Sequence, residues 1–113
     1  MSKREPNLYL EDIKESIEKI EKYAGNLSFE EFIKDTKTID AIVRNLTIIG
    51  EAAKNIPDEI KSTNPDIAWN EAIGMRNKVT HEYFGVDEDI LWKTIKEDLP
   101  AFKKQISELL EKN

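Results

Sequence analysis

Apolar residues recur along this chain at intervals of three and four, the spacing that puts them on one face of an α-helix. From Asn7 to Ala24 they fall at Tyr9, Ile13, Ile17, Ile20 and Ala24, which predicts one long amphipathic helix ended by Gly25 and Asn26. Its other faces carry four charged i,i+4 pairs, Glu11–Glu15, Lys14–Glu18, Glu15–Lys19 and Glu18–Lys22. Three of them are of opposite sign, as suits a solvated surface. Ser28 and Glu31 make an S-x-x-E capping box for a short second helix, with Leu27 and Phe32 as its hydrophobic staple. A third helix follows from Ile39, Ile42, Leu46, Ile49, Ala53 and Ile56, a heptad-like seam that Pro57 stops. Ala41, Ile48 and Ala52 add a second apolar row, so this helix has more than one packing partner. After a connector with a helical turn around residues 59–62, a fourth helix is predicted over Trp69–Phe84, with Ala72, Ile73, Met75 and Val79 inward and Gly85 as its stop. A fifth starts at Asp87 and buries Leu91, Ile95, Leu99, Phe102, Ile106 and Leu109. Pro100 lies inside that pattern and either kinks the helix or opens a new one. No strand-like alternation stands out. The expected fold is all-α, a small antiparallel helical bundle of about five helices with a kink or break near Pro100, forming a single domain over residues 1–113.

Composition narrows the chemistry. The chain has no cysteine and one histidine, which excludes disulfides, thiolate metal sites and a histidine-rich metal centre within one chain. No metal or cofactor is expected. The net charge of −6 argues against broad, non-specific nucleic-acid binding, so work on phosphates falls to a few local cations. The N-terminus does not read as a signal peptide, and no apolar stretch is long enough to span a bilayer. A cytoplasmic protein is expected.

Only three arginines stand among the 17 basic residues, and two of them, Arg44 and Arg76, are each followed by asparagine. Both pairs sit in apolar surroundings, where lysine would be the cheaper solubilising choice. Arginine presents a planar fork of donors suited to phosphate or carboxylate. Arg44 and Glu51 are seven apart and share a face, so Arg44 is expected in an internal salt bridge that also supports a site, beside Asn45. Arg76, Asn77 and His81 are a sharper group. On a continuous helix Asn77 and His81 are neighbours, whereas Arg76 and His81 point roughly 140° apart at about 100° per residue. A site using both needs a substrate between them or a second copy of the helix. A histidine titrating near neutrality suits proton transfer at a ribose hydroxyl, and an arginine suits charge growing on a phosphate. Together they suit metal-independent RNA cleavage, although the spacing alone is a weak signal.

The surrounding text sharpens it. The segments DAIVRNLTIIGEAAKNIP, IAWNEAIGMRNKVTHEYFGVD and ILWKTIKEDLP resemble the HepT-like family of HEPN-domain proteins, and the resemblance extends back to NLYLEDIKESIEKIEKYA. Its centre is the R-x4-H-x-Y motif, here Arg76 to Tyr83. The resemblance implies a helical homodimer in which the R-x4-H segments of both copies line one cleft. It implies that Arg76 and His81 are the ribonuclease residues, with Asn77 as the polar residue after the arginine. It further implies that Tyr83 accepts AMP from a partner minimal nucleotidyltransferase, the two proteins acting as toxin and antitoxin.

Two other readings compete. The chain could be a non-catalytic HEPN module that docks a nucleotidyltransferase or binds nucleotide, which its acidic charge favours slightly. It could also be a structural bundle with His81 merely packed, and Tyr83 could plug the helix end, packing near Trp69 or Phe84. That last reading leaves the two Arg–Asn pairs and the motif unexplained.

Overall fold

The computed structural model describes residues 5–81 and 85–112, and of His81 the backbone alone. The expected all-α bundle forms. Helix α1 runs Pro6–Ala24, with proline in its first turn, where a missing N–H costs nothing. It buries Leu10, Ile13, Ile17, Ile20 and Ala24, so Leu10 takes the core place expected for Tyr9, which is half-buried. Gly25 ends it with a φ of +49°, which glycine adopts at little cost. The short α2, Phe29–Phe32, carries the expected capping box: Ser28 Oγ accepts from the Glu31 N–H, and Glu31 Oε1 accepts from the Ser28 N–H. Helix α3 spans Thr36–Lys54, opened by the Asp35 carboxylate accepting from the Thr38 N–H. Its seam of Ile39, Ile42, Leu46, Ile49 and Ala53 is buried as the spacing requires.

Helix α3 packs against α1 on one side and α5, Trp69–Val79, on the other, after the short α4, Asp58–Thr63. Gly50 sets the α3–α5 spacing: a Cβ there would lie 3.2 Å from the Ile73 carbonyl oxygen and 3.4 Å from that of Ala72. The C-terminal rod consists of α6, Glu88–Lys93, a π-helical turn over Thr94–Asp98, and α7, Leu99–Lys112. The break expected near Pro100 is this π turn. Proline supplies no N–H to the Lys96 carbonyl and would clash with it in a regular helix. The wider turn, in which the Leu99 N–H donates to the Thr94 carbonyl five residues back, relieves that conflict. Lys103 ties α7 to α1 through Glu21 at 2.8 Å and Glu18 at 3.8 Å. Phe29 and Phe32 pack on Trp92 with ring centroids 5.6 and 5.0 Å away, seating α2 against α6. Among the described residues no helix is long and apolar enough to cross a membrane.

The fold departs from expectation at the end of α5. The helix stops at Val79 rather than reaching Phe84, and Thr80 is extended at φ −112°, ψ 144°. Strand β1, Thr80–His81, pairs antiparallel with β2, Gly85–Val86, in the register Thr80↔Val86 and His81↔Gly85. Gly85 therefore does not stop a helix. It sits in this hairpin at φ +79°. A carbonyl at the helix end has found a donor outside the helix, because the Asp87 N–H donates to the Val79 oxygen at 2.7 Å.

Candidate functional site

Helix α5 faces inward with Trp69, Ala72, Met75 and Val79, which leaves Arg76 and Asn77 on its exposed side. The inward face is firmly held. The Trp69 indole N–H donates to the Asn64 carbonyl at 3.1 Å, and its ring meets Phe102 edge-on at 6.3 Å. Arg76 and Asn77 are adjacent and in contact, with Arg76 Nη1 donating to Asn77 Oδ1 at 3.4 Å. That weak bond restrains the guanidinium without occupying it, so most of its five donors face solvent. The Arg76 carbonyl receives both the Thr80 N–H and the Thr80 hydroxyl, the latter at 3.0 Å. The chain thus turns straight from the arginine-bearing helix into the strand that carries His81.

This geometry replaces the expected one. His81 lies on an extended strand, so the helical-stripe relation between Asn77 and His81 and the roughly 140° divergence from Arg76 do not apply. The motif histidine is displaced from the helix axis by a hairpin rather than by rotation around it. Tyr83, expected to pack near Trp69 or Phe84, lies outside the described residues, as does Phe84; Trp69 packs on Phe102.

The supporting group on α3 divides. Arg44 and Glu51 are both exposed, and among the described residues they form no ion pair with each other. The internal salt bridge expected from their spacing is therefore absent. Two long side chains on an open surface gain little from pairing in water. Asn45 does the opposite of what a surface site residue does. It is 6% exposed, its Nδ2 donates to the Ala41 carbonyl at 2.9 Å, and its Oδ1 has no donor among the described residues. The exposed outer face of α3 carries Arg44, Thr47, Ile48 and Glu51 instead.

A cleft of about 450 Å³ lies on another flank of α5, between Gly74, Met75 and Lys78 on that helix and Thr94, Asp98 and Phe102 on the C-terminal rod. Neither Arg76 nor Asn77 lines it. Among the described residues no group of three histidine, aspartate or glutamate side chains converges as a metal site. The arrangement offers an exposed guanidinium and an adjoining amide, with the strand of a lone histidine two residues beyond the helix end. Asp87, whose N–H donates to the Val79 carbonyl, reads in the sequence only as a helix opener. The Gly85–Val86 pair after β-branched Thr80 was the available signal for the hairpin.

Comparison with known proteins agrees with this picture. A family model described as "Ribonuclease HepT-like" matches residues 13–109. The chain is 50% identical over 107 residues to a Thermococcus cleftensis protein named "Probable ribonuclease HepT", covering 95% of this chain and 97% of that protein. It is 44% identical over 107 residues to "Putative RNase TTE0752" of Caldanaerobacter subterraneus subsp. tengcongensis, covering 95% and 96% of the two. No solved structure matches the chain. The extent and identity of these matches, on a helical bundle that presents Arg76 and Asn77 just ahead of His81, place the chain in the ribonuclease HepT-like family.

Proposed function

We propose that this chain is the toxin of a toxin–antitoxin pair, a metal-independent RNA endonuclease that works as a homodimer in the cytoplasm. The observation that carries the reading is the exposed Arg76–Asn77 pair leading into the strand of His81, in a chain of a ribonuclease family. The His81 imidazole takes the proton of a ribose 2′-hydroxyl, whose oxygen attacks the adjacent phosphorus. The bond to the 5′-oxygen breaks, that oxygen is protonated, and the products are a 2′,3′-cyclic phosphate and a 5′-hydroxyl. Arg76 neutralises the charge that builds on the phosphoryl oxygens, and Asn77 steadies the guanidinium. Each chain has a single histidine, whereas the reaction needs a base and an acid. A two-fold cleft formed by two copies supplies the second imidazole. The exposed Ile48 beside Arg44 and Glu51 on α3, next to α5, supports that face as the place where copies meet. There Arg44 and Glu51 act as supporting residues, with Asn45 beneath them.

Silencing follows from charge and bulk. A cognate minimal nucleotidyltransferase antitoxin transfers AMP from ATP to the hydroxyl oxygen of Tyr83, two residues beyond His81; the α–β phosphoanhydride bond breaks, pyrophosphate leaves and the phenol proton is lost, and the added phosphate competes for Arg76. The net charge of −6 favours a second reading, a non-catalytic module that docks a nucleotidyltransferase or binds nucleotide. Expression of wild type, Arg76→Ala and His81→Ala, each with and without the adjacent nucleotidyltransferase, separates the two. The ribonuclease reading expects growth arrest from wild type alone and none from either variant. Equal harmlessness of all three proteins supports the binding module. Full neutralisation of a Tyr83→Phe toxin would refute the AMP-transfer account.

A further inference from the structure

We infer that Asp87 is the positioning residue of this site, a latch that holds the strand of His81 in register with the helix of Arg76. The inference rests on the R-x4-H reading proposed above. His81 leaves α5 two residues after Val79, the last fully buried side chain of that helix. What holds its backbone thereafter is a two-residue ladder with Gly85 and Val86. A ladder that short is marginal on its own, so the place of His81 depends on what clamps the base of the hairpin. Asp87 does so from both of its ends. Its N–H donates to the Val79 carbonyl at 2.7 Å, closing α5. Its Oδ1 accepts from the Ile90 N–H at 3.1 Å, and its carbonyl accepts from the Leu91 N–H at 2.9 Å, opening α6. Leu91 is itself fully buried. The hairpin is thus suspended between two core anchors, Val79 and Leu91, and Asp87 is the residue bonded to the backbone on both sides.

Removing the carboxylate leaves the Ile90 N–H without its cap, frays the first turn of α6 and frees the Asp87 backbone to turn from Val79. The strand of His81 then loses its fixed offset from Arg76, and misplacement of about 1 Å costs on the order of 100-fold in rate. Asparagine and serine cap as aspartate does, so they preserve the latch.

The test compares wild type with Asp87→Ala, Asp87→Asn and Asp87→Ser as full-length chains, at a temperature where circular dichroism shows all four folded. Cleavage of a single-stranded RNA is followed by its cyclic-phosphate ends. Because the chain has one histidine, the imidazole Hε1 resonance and the amide exchange of His81 report its placement independently of activity. The expected result is a kcat reduced roughly 10- to 100-fold in Asp87→Ala with KM little changed, a broadened His81 resonance and faster exchange, and recovery to within about threefold in the other two. The inference is overturned if Asp87→Ala keeps wild-type kcat, or if Asp87→Asn is as impaired as Asp87→Ala, which would make the charge rather than the cap responsible. If wild type and His81→Ala are equally inactive, the ribonuclease reading fails instead. The latch is then judged by exchange alone, and unchanged exchange in Asp87→Ala overturns it.

Discussion

Replacing Asn45 with alanine is expected to make this protein more stable, although it deletes a buried hydrogen-bonding side chain. The Nδ2 bond to the Ala41 carbonyl is cheap to lose, because that carbonyl already serves the helix of α3. Losing it costs about 0.5–1.5 kcal/mol. The space vacated is roughly 25 Å³, which costs about 0.6 kcal/mol at ~24 cal/mol per Å³. Against this, Oδ1 is buried with no donor among the described residues. Such an acceptor carries a desolvation penalty of about 1–3 kcal/mol, which the substitution removes. Alanine is also better than asparagine in a helix by about 0.6 kcal/mol. The net expectation is a gain of about 1 kcal/mol, or roughly 3–5 °C in Tm. Urea unfolding followed by circular dichroism, with the slope unchanged, reads it as a midpoint raised by about 0.5 M. A loss of 1 kcal/mol or more would refute the reasoning, since it would mean that Oδ1 has a donor in solution. Dependence of that loss on protein concentration would identify the donor as a second copy.

Other expectations follow from the same structure. Gly50→Val drives side-chain atoms into the backbone of Ile73 and Ala72 and should destabilise by about 1–3 kcal/mol in the same unfolding assay. Arg44→Ala should change stability by no more than about 0.5 kcal/mol, since its side chain is exposed and forms no ion pair among the described residues; a larger loss would restore the salt bridge to Glu51. Acid stability should depend on the two helix openers. Backbone and side-chain hydrogen bonds with Ser28 hold Glu31 below its ordinary 4.5, and those with Thr38 hold Asp35 below its ordinary 3.8. Carboxylates lowered in the folded state stabilise it above those values, and the contribution is lost as pH falls through the lowered ones. A Glu31→Gln, Asp35→Asn double variant should therefore show a flatter acid limb in unfolding measured from roughly pH 5 to roughly pH 2.

The helices were legible because their seams obey one period. Ile39 through Ala53 are buried where the three-and-four spacing puts them, and Ser28 with Glu31 closes the capping box written in the chain. Pro100 announced a break but not its form, since a kink and a fresh start relieve the missing N–H equally well. The end of α5 is hidden in the sequence for a similar reason. In the sequence, Val79 to Phe84 continues an acceptable helical pattern, whereas in the structure the Val79 carbonyl accepts from the N–H of Asp87, eight residues on. Local spacing contains no such term. The candidate site was legible as residue types, Arg76, Asn77 and His81, but the backbone of His81 lies in the pairing of Thr80–His81 with Gly85–Val86, which helical spacing does not contain. The Arg44–Glu51 pairing failed because a shared face permits a salt bridge without making one worth its side-chain entropy. In the sequence Asn45 reads only as the companion of Arg44, since the distance of its Oδ1 from any donor depends on packing alone.

Metal-free RNA cleavage by Arg76 and His81, as proposed, is read from the chemistry of the RNA ends left by purified full-length protein in excess chelator. The account predicts 2′,3′-cyclic phosphate and 5′-hydroxyl ends from wild type, and neither end from Arg76→Ala or His81→Ala preparations that remain folded. Cyclic-phosphate ends produced equally by wild type and the His81→Ala variant, or by none of the three proteins, would contradict it.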